Sequence, residues 1–152
     1  MMDQVSKGSL VRIDWDSLDA KLDFHDIVTK ALETISIPNS RRQGRNTRPF
    51  VTSYQLASKV AQLFPYVVRA TGLRFGGRGT GIPQSFVQEL AAELSARIAL
   101  NGTNYGIEIE YLSTDSITAI QFSVSPGVND GNSEYESSVT GSDREIALFR
   151  LR

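Results

Sequence analysis

Eight basic residues and no acidic one stand between Thr34 and Gln88: Arg41, Arg42, Arg45, Arg48, Lys59, Arg69, Arg74 and Arg78. This is the strongest chemical signal in the chain, because guanidinium groups grip phosphate oxygens at two points and an ammonium adds a compact counter-charge. Four of the arginines fall in Asn39 to Arg48 (NSRRQGRNTR), a stretch without an apolar side chain that reads as an exposed loop. Arg74 and Arg78 bracket the start of a glycine-rich run, Gly76-Gly77-Arg78-Gly79-Thr80-Gly81, where missing side chains let backbone N–H groups approach an anion. Phe50, Tyr54, Tyr66 and Phe75 are interleaved with the bases and offer rings on which nucleobases stack. A helix expected to begin near Ser85 adds a positive dipole end close to the same glycines.

The flanking thirds carry the opposite sign. Residues 1–33 hold seven acids against four bases, residues 89–152 ten against four, and the whole chain has a formal net charge of −1. Two expectations follow with equal weight. Either the basic third meets a phosphate backbone or an acidic partner, or it folds onto the acidic thirds and is neutralised there.

Other constellations carry less. Gly77-Arg78-Gly79-Thr80-Gly81 is GxGxG rather than GxGxxG, and Arg78-Gly79 stands where a P-loop requires Lys followed by Ser or Thr. Asp14 and Asp16, with Glu108 and Glu110, are paired carboxylates of the kind that hold Mg²⁺ for phosphoryl chemistry. Glu108-Ile109-Glu110 has no lysine where a PD-(D/E)xK nuclease sheet needs one, and alternation on a strand with one wet face explains the pair equally well. His25, the one histidine, cannot supply a two-histidine metal site, and its place beside Asp23 and Asp26 reads as a helix-boundary position. The absence of cysteine excludes thiolate catalysis, cysteine-ligated zinc, iron–sulfur clusters and disulfides. No catalytic, metal or cofactor site is therefore expected.

The elements that would position these residues can be read from periodicity. A short strand is expected over Ser9 to Trp15, then a helix capped by Asp16 or Ser17 that runs through Leu18, Leu22, Ile27, Val28, Ala31, Leu32 and Ile35 until Pro38. A second helix opens at Thr52 or Ser53, a short piece follows Pro65 and stops at Gly72, and a long helix runs from Ser85 to Leu100. Alternation at Ile107, Ile109, Tyr111 and again at Ile120, Phe122, Val124, around Ser113 to Ser116, predicts an antiparallel β-hairpin. Pro126 to Asp143 reads as a long loop, and Glu145 to Arg152 (EIALFRLR) as a last strand.

Helices and strands that are segregated rather than alternating indicate an α+β fold. The 152 residues are expected to form one domain with exposed loops near 39–49, 72–84 and 126–143. The helix–helix–helix–hairpin order from Val51 to Val124 resembles the topology of a winged helix. It departs from that family in two respects: twenty residues separate Phe64 from Ser85, where a helix-turn-helix has a turn of about 3–4 residues, and the helix from Ser85 carries Glu89 and Glu93 with Arg97 as its one base.

Neither an apolar leader after Met1-Met2-Asp3 nor an apolar run near the roughly 20 residues of a membrane span is present, so a cytoplasmic location without membrane association is expected. The function that fits these features is a non-enzymatic nucleic-acid-binding or regulatory domain whose eight bases contact phosphates. The alternative is an interaction or assembly module in which the basic third meets an acidic protein surface, a second copy of the chain included.

Overall fold

Aspartate side chains decide how the chain enters its first helix. The computed structural model describes residues 12–35, 48–76, 84–123, 134–138 and 146–152. Trp15–Ser17 is a single 3₁₀ turn in which Ser17 returns both its backbone N–H and its hydroxyl to Asp14. Asp19 then accepts the N–H groups of Lys21 and Leu22, and Asp16 accepts that of Phe24. Short carboxylates that satisfy nearby backbone donors compete with ladder and helix alike. The strand expected through Trp15 is absent from residues 12–15, where the chain runs into the 3₁₀ turn, while its start at 9–11 lies outside the described residues.

Helix α1 (Phe24–Glu33) thus begins later than periodicity suggested, behind a reciprocal cap in which Asp23 accepts from the Asp26 N–H and Asp26 from the Asp23 N–H. Its buried residues Phe24, Ile27, Val28, Ala31 and Leu32 follow helical spacing along one face. A ten-residue helix is marginal alone, so burial of that stripe holds it in place. Thr52 and Gln55 form the same kind of cap for α2 (Ser53–Leu63). Pro65 opens α3 (Pro65–Thr71), which ends on Gly72 at φ 72°, a left-handed position that favours glycine. The long helix α4 (Phe86–Asn101) is capped by Ser85. These positions agree with the expectation for the three later helices.

Five strands accompany the helices among the described residues: β1 (Val51–Thr52), β2 (Ile107–Leu112), β3 (Ala119–Ser123), β4 (Glu134–Ser138) and β5 (Ile146–Leu151). The fold is α+β. The last strand is the centre of an antiparallel three-stranded sheet in the order β1-β5-β2. Phe149 is flanked by Val51 on one side and Ile109 on the other, and Leu151 faces Ile107.

The expected hairpin between the strands at 107 and 120 does not form. The chain does turn between them, with Ser116 at φ 64°, but β2 pairs along its whole length with β5, and β3 pairs with β4 in a separate two-stranded sheet. Alternation specifies which face of a strand is buried and leaves its partner open. Here β5 matches β2 on both faces, apolar inside and Arg150 against Glu108 outside. β4 lies inside the stretch expected to be a long loop.

One core gathers α1, α2, α3, α4 and the inner face of the three-stranded sheet, with Phe24, Phe75, Phe86 and Phe149 among its fully buried side chains. Trp15 plugs it from the N-terminal side, edge-on to Phe24 at 5.2 Å. Leu73 and Phe75 are buried as well, so the first residues of the expected 72–84 loop contribute to the core, while 77–83 lie outside the described residues. Among the described residues no helix is long and apolar enough to cross a membrane. Because Phe149 is fully buried between two strands, Phe149→Ala is expected to lower stability by about 3–5 kcal/mol. Urea denaturation followed by circular dichroism measures this, and a loss below about 1 kcal/mol would show that the last strand is not the centre of the core.

Candidate functional site

Of the eight bases expected to contact phosphate, four are described. Arg48 is exposed and lines a small depression of about 40 Å³ together with Arg150, at the end of α1 and the edge of β5. Lys59 is half-buried on α2, Arg69 is exposed on α3, and Arg74 is exposed just beyond Gly72. Arg41, Arg42, Arg45 and Arg78 lie outside the described residues. Arg48 and Lys59 belong to neighbouring hollows that share Ile35 as a wall. Arg69 and Arg74 are not brought into either.

The ion pairs recorded among the described residues use two other arginines. Arg97 of α4 binds Asp16 at 3.0 Å in two-point fashion and takes Glu93 at 2.6 Å. Arg150 of β5 meets both oxygens of Glu108 at 3.2 Å and lies 4.1 Å over the Phe50 ring. Both cations come from the acid-rich C-terminal third. Lys59, Arg69 and Arg74 make no ion pair among the described residues, so the carboxylates of the flanking thirds do not neutralise them there.

The same pairs separate the carboxylates that would have had to converge for metal-assisted chemistry. Asp16 is committed to Arg97 and Glu108 to Arg150, and no three His, Asp or Glu side chains gather into a metal-binding group among the described residues. His25 sits in the first turn of α1 with Nε2 2.8 Å from the Tyr105 carbonyl and its ring edge-on to the Tyr105 ring. It ties α1 to the end of α4.

Two expectations for anion binding are corrected. The start of α4 is not an open anion site, because the N–H groups of Phe86 and Val87 donate to the carbonyls of Arg74 and Phe75 and that of Gln88 to the Ser85 hydroxyl. The aromatic residues are not a row of exposed platforms either. Tyr54 and Phe75 are core residues, Phe50 lies under Arg150, and exposed Tyr66 gives its hydroxyl to Asp19. Aromatic residues in a basic stretch are as useful to a core as to a ligand, and burial decides which.

What the structure does assemble is an open groove of about 420 Å³ between α2 and β3. Its apolar side is Ile35, Tyr54 and Phe122, the two rings stacked at 4.4 Å and 11°. Its polar side is Gln55, Ser58, Lys59 and Gln62 from α2 with Gln121 from β3. Lys59 is the only charged residue among the described residues of the lining. Gln55 is partly spent, since its Oε1 accepts the Thr52 N–H of the helix cap. The side chains of Lys59, Gln62 and Gln121 make no hydrogen bond among the described residues. Sequence reasoning found Lys59 and missed the glutamines. The signal was present, since Gln55, Ser58, Lys59 and Gln62 follow one helical face at spacings of three and four.

No family model matches the chain, and neither a curated protein nor a solved structure matches it.

The Asp16–Arg97 contact has a pH signature. The Arg97 guanidinium, followed by the Phe24 N–H, holds the Asp16 carboxyl below its ordinary value of 3.8. Partial burial of Arg97 works against its charge, but Asp16 and Glu93 outweigh it and hold the guanidinium above its usual range. A carboxyl whose folded pKa is depressed contributes stability that is complete above the unfolded value and lost as pH falls through the folded one. Arg97→Gln is therefore expected to cost about 1–2 kcal/mol at neutral pH and to flatten the loss of stability below about pH 4. Denaturant midpoints at pH 7, 4 and 2.5 check this; a variant as acid-sensitive as the parent would remove Asp16 as the source.

Proposed function

We propose that this chain is a non-enzymatic nucleic-acid-binding or regulatory domain, acting as a single unit in the cytoplasm, whose central third carries the phosphate-contacting surface. The observation that supports it most is the division of labour among the bases. The recorded carboxylate pairs engage Arg97 and Arg150, while Lys59, Arg69 and Arg74 make none among the described residues. In the sequence Arg41, Arg42 and Arg45 stand between Ile35, a wall of the groove, and Arg48. Net charge near zero does not oppose this reading, because the local field at a surface follows the nearest charges within about 8–10 Å.

Phosphate contacts release counterions, so affinity should fall linearly on a logarithmic salt scale, by about 0.7–0.9 per phosphate neutralised. Fluorescence anisotropy with labelled nucleic acid is the direct measurement. The variant Lys59→Ala/Arg69→Ala/Arg74→Ala is expected to lower the slope by about 2–3, and replacement of Arg41, Arg42, Arg45 and Arg48 by alanine to lower it further. An unchanged slope in both variants would remove the central third from binding. Absence of binding even at low salt would turn attention to an acidic protein surface or a second copy of the chain, read by concentration-dependent sedimentation that is lost at high salt.

A further inference from the structure

We infer that the groove between α2 and β3 receives an unpaired nucleotide, so that the nucleic acid bound is single-stranded. The inference rests on the preceding reading and adds the form of the ligand and the residues that meet its base.

Shape is the first argument. A duplex hides its base edges inside grooves that a protruding helix or ribbon must enter. A hollow in the protein does the reverse and admits a base only when it is splayed out of its stack. At about 420 Å³ this hollow falls within the roughly 300–1,000 Å³ usual for small-ligand sites.

Chemistry is the second. Among the described residues the lining holds one ammonium, Lys59, and no carboxylate, so this part of it suits a phosphate rather than a cation. Gln62 and Gln121 approach from different elements, one on the helix and one on the strand. Each carboxamide presents a donor and an acceptor side by side, which is the pattern of a base edge. Gln121 stands opposite Glu136 in the β3–β4 pairing, and among the described residues neither glutamine side chain makes a hydrogen bond. Phe122 is half-buried and already stacked on Tyr54, and it offers the entering base an aromatic surface held in place from behind.

The test is anisotropy of the full chain with labelled single-stranded RNA, single-stranded DNA and the matching duplexes at low and physiological salt. Both single strands, or one of them, should bind about tenfold or more tightly than duplex, and the RNA and DNA arms tell whether the sugar is read. Gln62→Ala/Gln121→Ala should erase that preference while leaving the salt slope unchanged, because neither residue is charged, and Lys59→Ala should lower the slope by about 1. Should the double variant unfold, the side-chain NH₂ resonances of Gln62 and Gln121 in the wild-type chain serve instead, and they should shift on titration with 5′-mononucleotides. Equal affinity for single strand and duplex, a preference that survives the double variant, or amide signals that do not move would each overturn the groove assignment while salt-dependent binding still stood. Binding to none of the four ligands would overturn the preceding reading as well.

Discussion

The sheet cannot exist without the last strand of the chain, because β5 lies between β1 and β2 and supplies the hydrogen-bonding partner of both. Residues 51–52 and 107–112 are extended because 146–151 arrives between them. The contact is long-range in sequence, and loop closure on that scale carries an entropic cost that local pairing avoids. Phe149 offsets it by filling the space between Val51 and Ile109 under the helices. Position and function meet at this strand. Anchoring β1 fixes the start of α2, since Thr52 is both the end of the strand and the cap of the helix. The face of α2 that carries Gln55, Ser58, Lys59 and Gln62 is thereby oriented toward β3.

Helices were the legible part of this sequence, and the reason is local. Thr52 with Gln55, Pro65 with Gly72, and Ser85 with the stripe Phe86, Val87, Leu90, Leu94 and Ile98 each state a start, a stop or a buried face within a few residues. The N-terminal segment misled for an equally local reason that periodicity does not capture. Val11, Ile13 and Trp15 alternate like a strand, yet the chain turns at Trp15–Ser17, and Asp19 and Asp16 then take the N–H groups of Lys21, Leu22 and Phe24 that an earlier helix would use. Asp16 then accepts the Phe24 N–H and grips Arg97 at 81 residues' separation, a pairing no local pattern announces. Strand partnership was illegible in the same sense. Both strands were expected where they occur, although Tyr111 is exposed near the end of β2, and their assignment to each other was not correct.

The candidate surface divides along similar lines. A run of bases without acids is visible in one dimension, and it includes Lys59, which the fold places in the lining of the groove. Aromatic residues and glycines in the same run invited a reading as stacking platforms and a phosphate cradle. Burial redirected Tyr54 and Phe75 to the core, and two backbone carbonyls closed the start of α4. Neutral carboxamides drew no attention because they carry no charge to count. They acquire meaning only when α2 and β3 bring Gln62 and Gln121 to one hollow.

Two kinds of cation coexist in the molecule, and their environments separate their uses. Arg97 lies 4.7 Å over the Phe24 ring between two carboxylates, and Arg150 over Phe50 beside Glu108. Each is planar, partly buried and doubly or triply hydrogen-bonded, which is the use guanidinium serves best within a fold. A partly buried charge must be matched inside the structure, since water no longer solvates it fully. An exposed charge needs no such partner, so the bases on α3 and beyond Gly72 can stay unpaired at little cost to stability. The acidic residues near Arg97 and Arg150 therefore answer the buried cations rather than the exposed ones. Three of the seventeen acids, Asp16, Glu93 and Glu108, are held in this way by two partly buried arginines, while Lys59, Arg69 and Arg74 make no ion pair among the described residues.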